Sequence, residues 1–179
     1  MHQKLILDKI SSVLQATDQN LVTKFVSALD KANRIFVTGA GRSGLVSRFF
    51  AMRLMHSGYK VYMVGEIVTP SIQAGDLFIV VSGSGGTETL LPLVKKAKSV
   101  GAQIAVVSMK GKSPMAEMAD LVIQIGGGNE NSFGIVHGMP MGTVFELSTL
   151  VFLEAVISHI VHEKGLTEEG MRAVHANLE

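Results

Sequence analysis

The chain has 179 residues, of which 47% are hydrophobic, and its 16 Lys and Arg against 15 Asp and Glu leave a net charge of +1. This balance, without a basic stripe, argues against a nucleic-acid partner, and the absence of cysteine excludes a disulfide scaffold and thiol catalysis. The longest apolar stretch, 143–161, is interrupted by Glu146 and Glu154, and the N-terminus lacks a signal-peptide core, so we expect a cytoplasmic protein that does not span a membrane.

The predicted elements begin with two helices in residues 1–32, where apolar residues recur at helical spacing and Asp18 is the expected N-cap between them. From residue 34 the pattern becomes strand, turn, helix, repeated. Strands are predicted over 34–39, 60–65, 76–83, 103–109 and 121–125, with helices over 41–57 and 87–100 and a short one opened by Ser113-Pro114. A glycine-rich loop, 126–138, leads to helices over 141–161 and 167–176.

Strands that are apolar throughout and alternate with helices are typical of a parallel sheet covered on both faces. We therefore expect one α/β domain over 1–179: N-terminal helices in 1–32, a sheet core in 33–126, and C-terminal helices in 139–179. The predicted architecture is a doubly wound three-layer sandwich with a five-stranded parallel sheet. Ligands of such folds bind at the carboxyl ends of the strands, near the topological switch point.

The first strand runs into Gly39-Ala40-Gly41-Arg42-Ser43-Gly44, a GxGxxG pattern that opens a helix. Glu66 stands at the end of the second strand, about where dinucleotide-binding proteins place an acid for the ribose. A nucleotide-binding oxidoreductase is therefore one reading of this turn. A P-loop is excluded, because Leu45 stands where that motif requires lysine.

The third strand ends in Ser82-Gly83-Ser84-Gly85-Gly86-Thr87, which places three hydroxyls and three glycines ahead of a helix. Glycines let backbone N–H groups turn inward, hydroxyls add donors, and a helix N-terminus carries partial positive charge, so the combination suits a phosphate dianion. The alternative is a Ser or Thr N-cap with glycines for a tight turn. A dinucleotide site does not need a hydroxyl-rich turn after the third strand, so this second turn argues against a dinucleotide.

These motifs resemble the sugar-isomerase (SIS) family, whose phosphate loop has the form S-x-S-G-x-T and whose first turn has the form G-x-G-[RK]-S. The chain is similar over nearly its whole length to the 6-phospho-3-hexuloisomerase branch, through 53–56 with 61–66, Gly142-Thr143-x-Phe145-Glu146 and the ending 175–179. Gly86 stands where glutamate is common in the family. The resemblance implies a flavodoxin-like SIS fold, a phosphosugar substrate and a homotetramer with active sites at subunit boundaries.

The implied reaction interconverts arabino-3-hexulose 6-phosphate and fructose 6-phosphate, the second step of formaldehyde fixation by the ribulose monophosphate route. Moving the carbonyl from C3 to C2 requires removal of the C2 proton, a cis-enediolate, and return of a proton at C3. One carboxylate can perform both transfers, and helix N-termini or hydroxyls can neutralise the enediolate oxygens. We therefore expect no metal and no organic cofactor.

Glu146 has two interpretations. The residues alone favour a capping box, Thr143-x-x-Glu146, whereas the family match makes Glu146 the catalytic base. Glu66 is the reserve candidate. His175, in the terminal helix, is expected to help catalysis in a site shared between subunits, although a solvated terminal helix explains it equally well. His137, in the glycine-rich loop, is a weaker candidate that could face the site.

Three functions remain open on the sequence. The first is the isomerase, with Gly41, Arg42, Ser43, the second turn and Glu66 binding substrate. The second is a SIS module that binds a sugar phosphate without catalysis, which would explain both turns equally well. The third is the nucleotide-binding oxidoreductase, which depends on GxGxxG and Glu66.

Overall fold

The computed structural model describes residues 2–126 and 138–178. The strands are β1 (Ile35–Gly39), β2 (Val61–Met63), β3 (Leu77–Val81), β4 (Gln103–Ser108) and β5 (Leu121–Gln124). The helices are α1 (His2–Gln15), α2 (Asn20–Lys31), α3 (Gly41–His56), α4 (Leu91–Ser99), α5 (Thr143–Lys164) and α6 (Glu168–Ala173), with a 3₁₀ turn at Ala116–Met118 between β4 and β5.

The five strands form one parallel sheet in the order β2-β1-β3-β4-β5, which confirms the predicted sheet. After β1 the chain first adds β2 on one side and then crosses back to add β3 on the other. The switch point therefore lies between β1 and β3. Their register pairs Gly39 with Val81, so the two glycine-rich turns leave the sheet side by side.

Alternate residues of each strand supply two separate cores, because successive side chains point to opposite faces of a sheet. On one face, Ile79 and Val107 belong to a cluster shared with α1, α2, α3 and α5. On the other face, Phe78 and Val106 pack with α4 and the 3₁₀ turn. The result is the predicted three-layer sandwich, with most of the described helices on one face.

Helix α5 is the longest element, and by length and composition alone it could cross a membrane. Here it contacts α1, α2 and α3 and buries Phe145, Phe152, Leu153 and Val156 in the larger core. Its apolar surface is therefore accounted for, in good part, by packing against three helices. This packing also places the first turn of α5 over the carboxyl edge of the sheet.

Two predicted helix starts differ from the structure. The helix expected from Thr87 begins at Leu91, and the residues before it form a turn in which the N–H groups of Leu90 and Leu91 donate to the Thr87 carbonyl. A start at Leu91 places Pro92 in the first turn, where its missing N–H costs no helical hydrogen bond. Asp18 accepts from Asn20 N at 2.9 Å, but the N-cap position of α2 is occupied by Gln19.

Candidate active site

The first glycine-rich turn is built on close backbone approach between β1 and the start of α3. A Cβ atom on Gly44 would lie 2.7 Å from the Gly39 carbonyl oxygen, so strand and helix can meet this closely only without a side chain there. Gly41 has a φ of +56°, which L side chains rarely adopt, and a Cβ built on it meets no atom within 4 Å. The turn therefore presents open space above Gly41 at the carboxyl edge of the sheet.

The second turn holds its hydroxyl groups together. Ser82 Oγ lies 3.0 Å from Thr87 Oγ1 and accepts a hydrogen bond from Gly85 N at 3.2 Å. Ser84 Oγ accepts from Gly86 N at 3.2 Å, and its side chain is exposed, whereas Ser82 is buried. The structure thus brings the three predicted hydroxyls into one turn, with Ser84 on its solvent side.

Glu146 lies in the first turn of α5, between the two glycine-rich turns. Its Oε2 pairs with Nε of Arg42 in the first turn. The ring of its neighbour Phe145 packs against Gly83 in the second turn, where a Cβ atom added to Gly83 would lie 3.1 Å from the ring. The Glu146 side chain is only 13% exposed, so the carboxylate faces the inside of this crevice rather than bulk solvent.

The capping-box interpretation of Glu146 is wrong. The N-cap of α5 is Gly142, one residue earlier than expected, and it makes no side-chain cap hydrogen bond. Thr143 Oγ1 instead donates to the Pro140 carbonyl at 2.7 Å. Because the Glu146 carboxylate pairs with Arg42 on another helix, it links two elements of the crevice.

Glu66 lies beyond β2, where its carboxylate accepts from Arg48 of α3 at 2.6 Å. Both side chains are about half exposed. This places Glu66 on the β2 side of the switch point, with its charge already engaged by a neighbouring helix. His137 lies outside the described residues.

His175 lies at the other end of α3 from Glu146. Its ring stacks on His56 at 5.2 Å between centroids, and both line a cavity of about 540 Å³ together with Arg53 and Arg172. Burial, then the positive fields of His175 and Arg53, lower the pKa of His56 below its ordinary value. Because α3 has 16 residues, it spans about 24 Å, so within one chain His175 and Glu146 stand at opposite edges of the sheet.

The site also contains residues to which the sequence analysis gave no site role. Ser108, the last residue of β4, donates to the Gly83 carbonyl at 3.1 Å, and the Ser113 side chain lies against Gly85. The sequence placed Ser108 at the end of a buried strand but did not show that this strand pairs with β3, and this pairing brings Ser108 to the turn that follows β3. Ser113 was assigned only as a helix cap.

Most of the chain matches a known protein family. Residues 28–154, from the end of α2 through the first half of α5, match the SIS domain. The chain belongs to the SIS family. The resemblance inferred from its two glycine-rich turns is thereby confirmed, and those turns lie inside the matched region.

Within the SIS family, the chain is 66% identical over 178 residues to the 3-hexulose-6-phosphate isomerase of Methylomonas aminofaciens, covering 99% of this chain and 98% of the relative. It is 43% identical to the 3-hexulose-6-phosphate isomerase of Bacillus subtilis, covering 83% and 81%. A solved structure from Methanococcus jannaschii, from which a 3-hexulose-6-phosphate isomerase function has been inferred, superposes with a TM-score of 0.87 at 37% identity, covering 99% of this chain and 98% of that one.

Proposed function

We propose that this SIS chain is a 6-phospho-3-hexuloisomerase, which interconverts D-arabino-hex-3-ulose 6-phosphate and D-fructose 6-phosphate in the ribulose monophosphate pathway. The full-length likeness to isomerases of that name supports the assignment. The observation that carries it is the position of Glu146, whose carboxylate pairs with the first glycine-rich turn while Phe145 touches the second. We further propose that the enzyme works in the cytoplasm.

The second turn is the proposed site of the 6-phosphate. Ser82, Ser84 and Thr87 supply hydroxyl donors, and Gly83, Gly85 and Gly86 allow the backbone to approach the phosphate oxygens. The turn precedes α4, whose N-terminus adds partial positive charge. The first turn, through Gly41, Arg42 and Ser43, then faces the sugar hydroxyls, because the two turns leave adjacent strands.

Glu146 is the proposed proton-transfer base. Starting from the 3-ketose, its carboxylate takes the C2 proton, the C2–C3 double bond forms, and the C3 oxygen takes up negative charge. The protonated carboxyl then returns the proton to C3, while the proton of O2 moves to O3 and leaves the carbonyl at C2. Arg42, already paired with Glu146, is placed to orient the carboxylate and to stabilise the enediolate.

His175 is the proposed group for moving the proton between O2 and O3 or for opening the fructose 6-phosphate ring. Because it stands at the far edge of its own chain, it can do so only in the site of another subunit. Helix α3 has an exposed apolar face formed by Leu45, Phe49 and Met52, which are 67%, 46% and 51% exposed to solvent. If this face pairs with its copy about a two-fold axis near Phe49, the last turn of one α3 meets the first turn of the other. We propose a homotetramer that contains such pairs.

Subunit complementation tests the shared site. Glu146→Gln and His175→Ala are purified separately, assayed alone, then unfolded, mixed in equal amounts and refolded. Random association of such pairs restores about a quarter of wild-type activity, because half of the pairs are mixed and each mixed pair has one intact site. Full activity of His175→Ala alone, or no recovery on mixing two impaired variants, would contradict sharing.

The isomerase itself is tested by direct conversion of enzymatically prepared hexulose 6-phosphate, with fructose 6-phosphate detected in a coupled assay. Thermal shift supplies the parallel binding measurement, since a ligand at a hundred times its Kd adds about 2.7 kcal/mol. Stabilisation by fructose 6-phosphate together with turnover supports the proposal. Binding without turnover would indicate a non-catalytic SIS module, and stabilisation by NAD alone would indicate the oxidoreductase.

A further inference from the structure

The phosphate turn is held from the β4 side by two hydrogen bonds to one carbonyl. The Gly83 carbonyl oxygen accepts from Ser108 Oγ at 3.1 Å and from Met109 N at 3.2 Å. Ser108 is fully buried, and its hydroxyl also accepts from Lys110 N at 3.1 Å. The Ser108 hydroxyl therefore has partners on both sides and fixes the end of β4 to the turn that follows β3.

A second support lies two residues further along the turn. The Gly85 carbonyl oxygen accepts from Met115 N at 3.0 Å. Gly85 has a φ of +62°, and a Cβ atom on it would lie 2.2 Å from Ser113 Oγ. The segment after β4 thus fills the space behind Gly85, so the turn cannot move toward β4.

The direction of these carbonyls decides where the next N–H groups point. In a trans peptide, the C=O of one residue and the N–H of the next point in opposite directions. With the carbonyls of Gly83 and Gly85 directed at the β4 side, the N–H groups of Ser84 and Gly86 are directed away from it. Ser84 is exposed, and the phosphate is proposed to bind on the side to which these N–H groups point.

We propose that Ser108 is a positioning residue for phosphate binding: its hydroxyl locks the Gly83 carbonyl so that the Ser84 N–H stays directed at the phosphate. The proposal rests on the proposed function, because it requires the second turn to bind the 6-phosphate. Ser108 itself makes no contact with the ligand. Its influence is on affinity, through a donor that is oriented before the ligand arrives.

The test compares Ser108→Ala with Thr17→Val, a matched control that removes another buried hydroxyl bonded to a backbone carbonyl, that of Val13 at 2.9 Å. Calorimetric titration measures Kd for inorganic phosphate and for fructose 6-phosphate, and steady-state kinetics separates kcat from KM. Ser108→Ala is expected to raise both Kd values and KM about threefold to tenfold, the size of one lost neutral hydrogen bond, with kcat changed less than about twofold. Thr17→Val is expected to leave all four unchanged.

Two further variants keep the outcomes separate. Ser84→Ala tests whether the turn itself binds the ligands. The wild-type titrations test the proposed function: if wild type binds neither inorganic phosphate nor fructose 6-phosphate, the proposed function fails and the positioning role of Ser108 fails with it. If Ser84→Ala loses affinity while Ser108→Ala binds like wild type, only the positioning role is overturned. Ser108→Cys retains a weak donor of similar size, so it should give intermediate Kd values, and it replaces the alanine variant if that one does not fold. Wild-type Kd values in Ser108→Cys and Ser108→Ala alike would overturn the inference.

Discussion

Glu146→Gln is the substitution that separates catalysis from structure most sharply. Gln keeps the size and one carbonyl oxygen of Glu146 but cannot take a proton from carbon. If the carboxylate is the base, turnover in both directions should fall by about 10²–10⁴, while substrate affinity changes little. Exchange of solvent deuterium into fructose 6-phosphate at C3 and into the 3-hexulose at C2 should fall in parallel, because it reports the same proton transfer.

The structural cost of the same change is small. The carboxylate loses its charge-assisted pair with Arg42, whose side chain is 59% exposed, so solvent screening limits the loss of stability to about 1 kcal/mol or less. Urea unfolding measures it. Glu163→Gln, an exposed position at the far end of the same helix, is the control and should retain full turnover. Turnover within about threefold of wild type in Glu146→Gln would refute the assignment of the base, whatever happened to stability.

Three further predictions follow from named contacts. Ser84→Ala should weaken fructose 6-phosphate binding by about 1–3 kcal/mol, the value of a hydrogen bond to a charged group, and an unchanged Kd would count against the phosphate turn. Gly41→Ala should cost about 1–2 kcal/mol in urea unfolding, because φ there is +56° and nothing crowds the new Cβ; no loss would mean that the turn relaxes. Burial, and then the charges of His175 and Arg53, lower the pKa of His56 in the folded protein. At mildly acidic pH the unfolded chain therefore binds more protons than the folded one. The free energy of unfolding should fall as pH drops below about 6.5 toward the lower folded-state pKa. His56→Phe should flatten that part of the stability–pH curve, and an identical curve would show that His56 is not responsible.

The sheet could be predicted because its signals are local. Each strand is a short apolar run, and β3 is buried along its whole length, so period and burial agree residue by residue. The glycines of the two turns are explained by their local geometry, since the positive φ values at Gly41 and Gly85 disfavour side chains and the close contact of Gly44 with Gly39 leaves no room for one. Their meeting at the switch point then follows from parallel strand pairing.

The partners of the side chains were less predictable, because they depend on which elements meet in space. Thr143-x-x-Glu146 satisfies a capping box in sequence, but α3 brings Arg42 to the same carboxylate, and a charged partner outcompetes a neutral backbone N–H. Ser108 and Ser113 likewise look like an ordinary strand end and an ordinary cap. Only the packing of β4 beside β3 shows that both support the phosphate turn.

The two ends of α3 set the limit on what one subunit can do. Its first turn carries Arg42 beside Glu146, whereas its last turn carries His56 beneath His175, and no rearrangement of α6 alone spans the length of the helix. A catalytic His175 therefore requires assembly, and a structural His175 requires none. If Glu146→Gln loses turnover but complementation fails, the stacked imidazoles hold α6 against α3 and Glu146 works with solvent as its proton shuttle. If complementation succeeds, the same stacking fixes the histidine for the neighbouring site, and dilution below the assembly threshold should abolish activity while each chain remains folded.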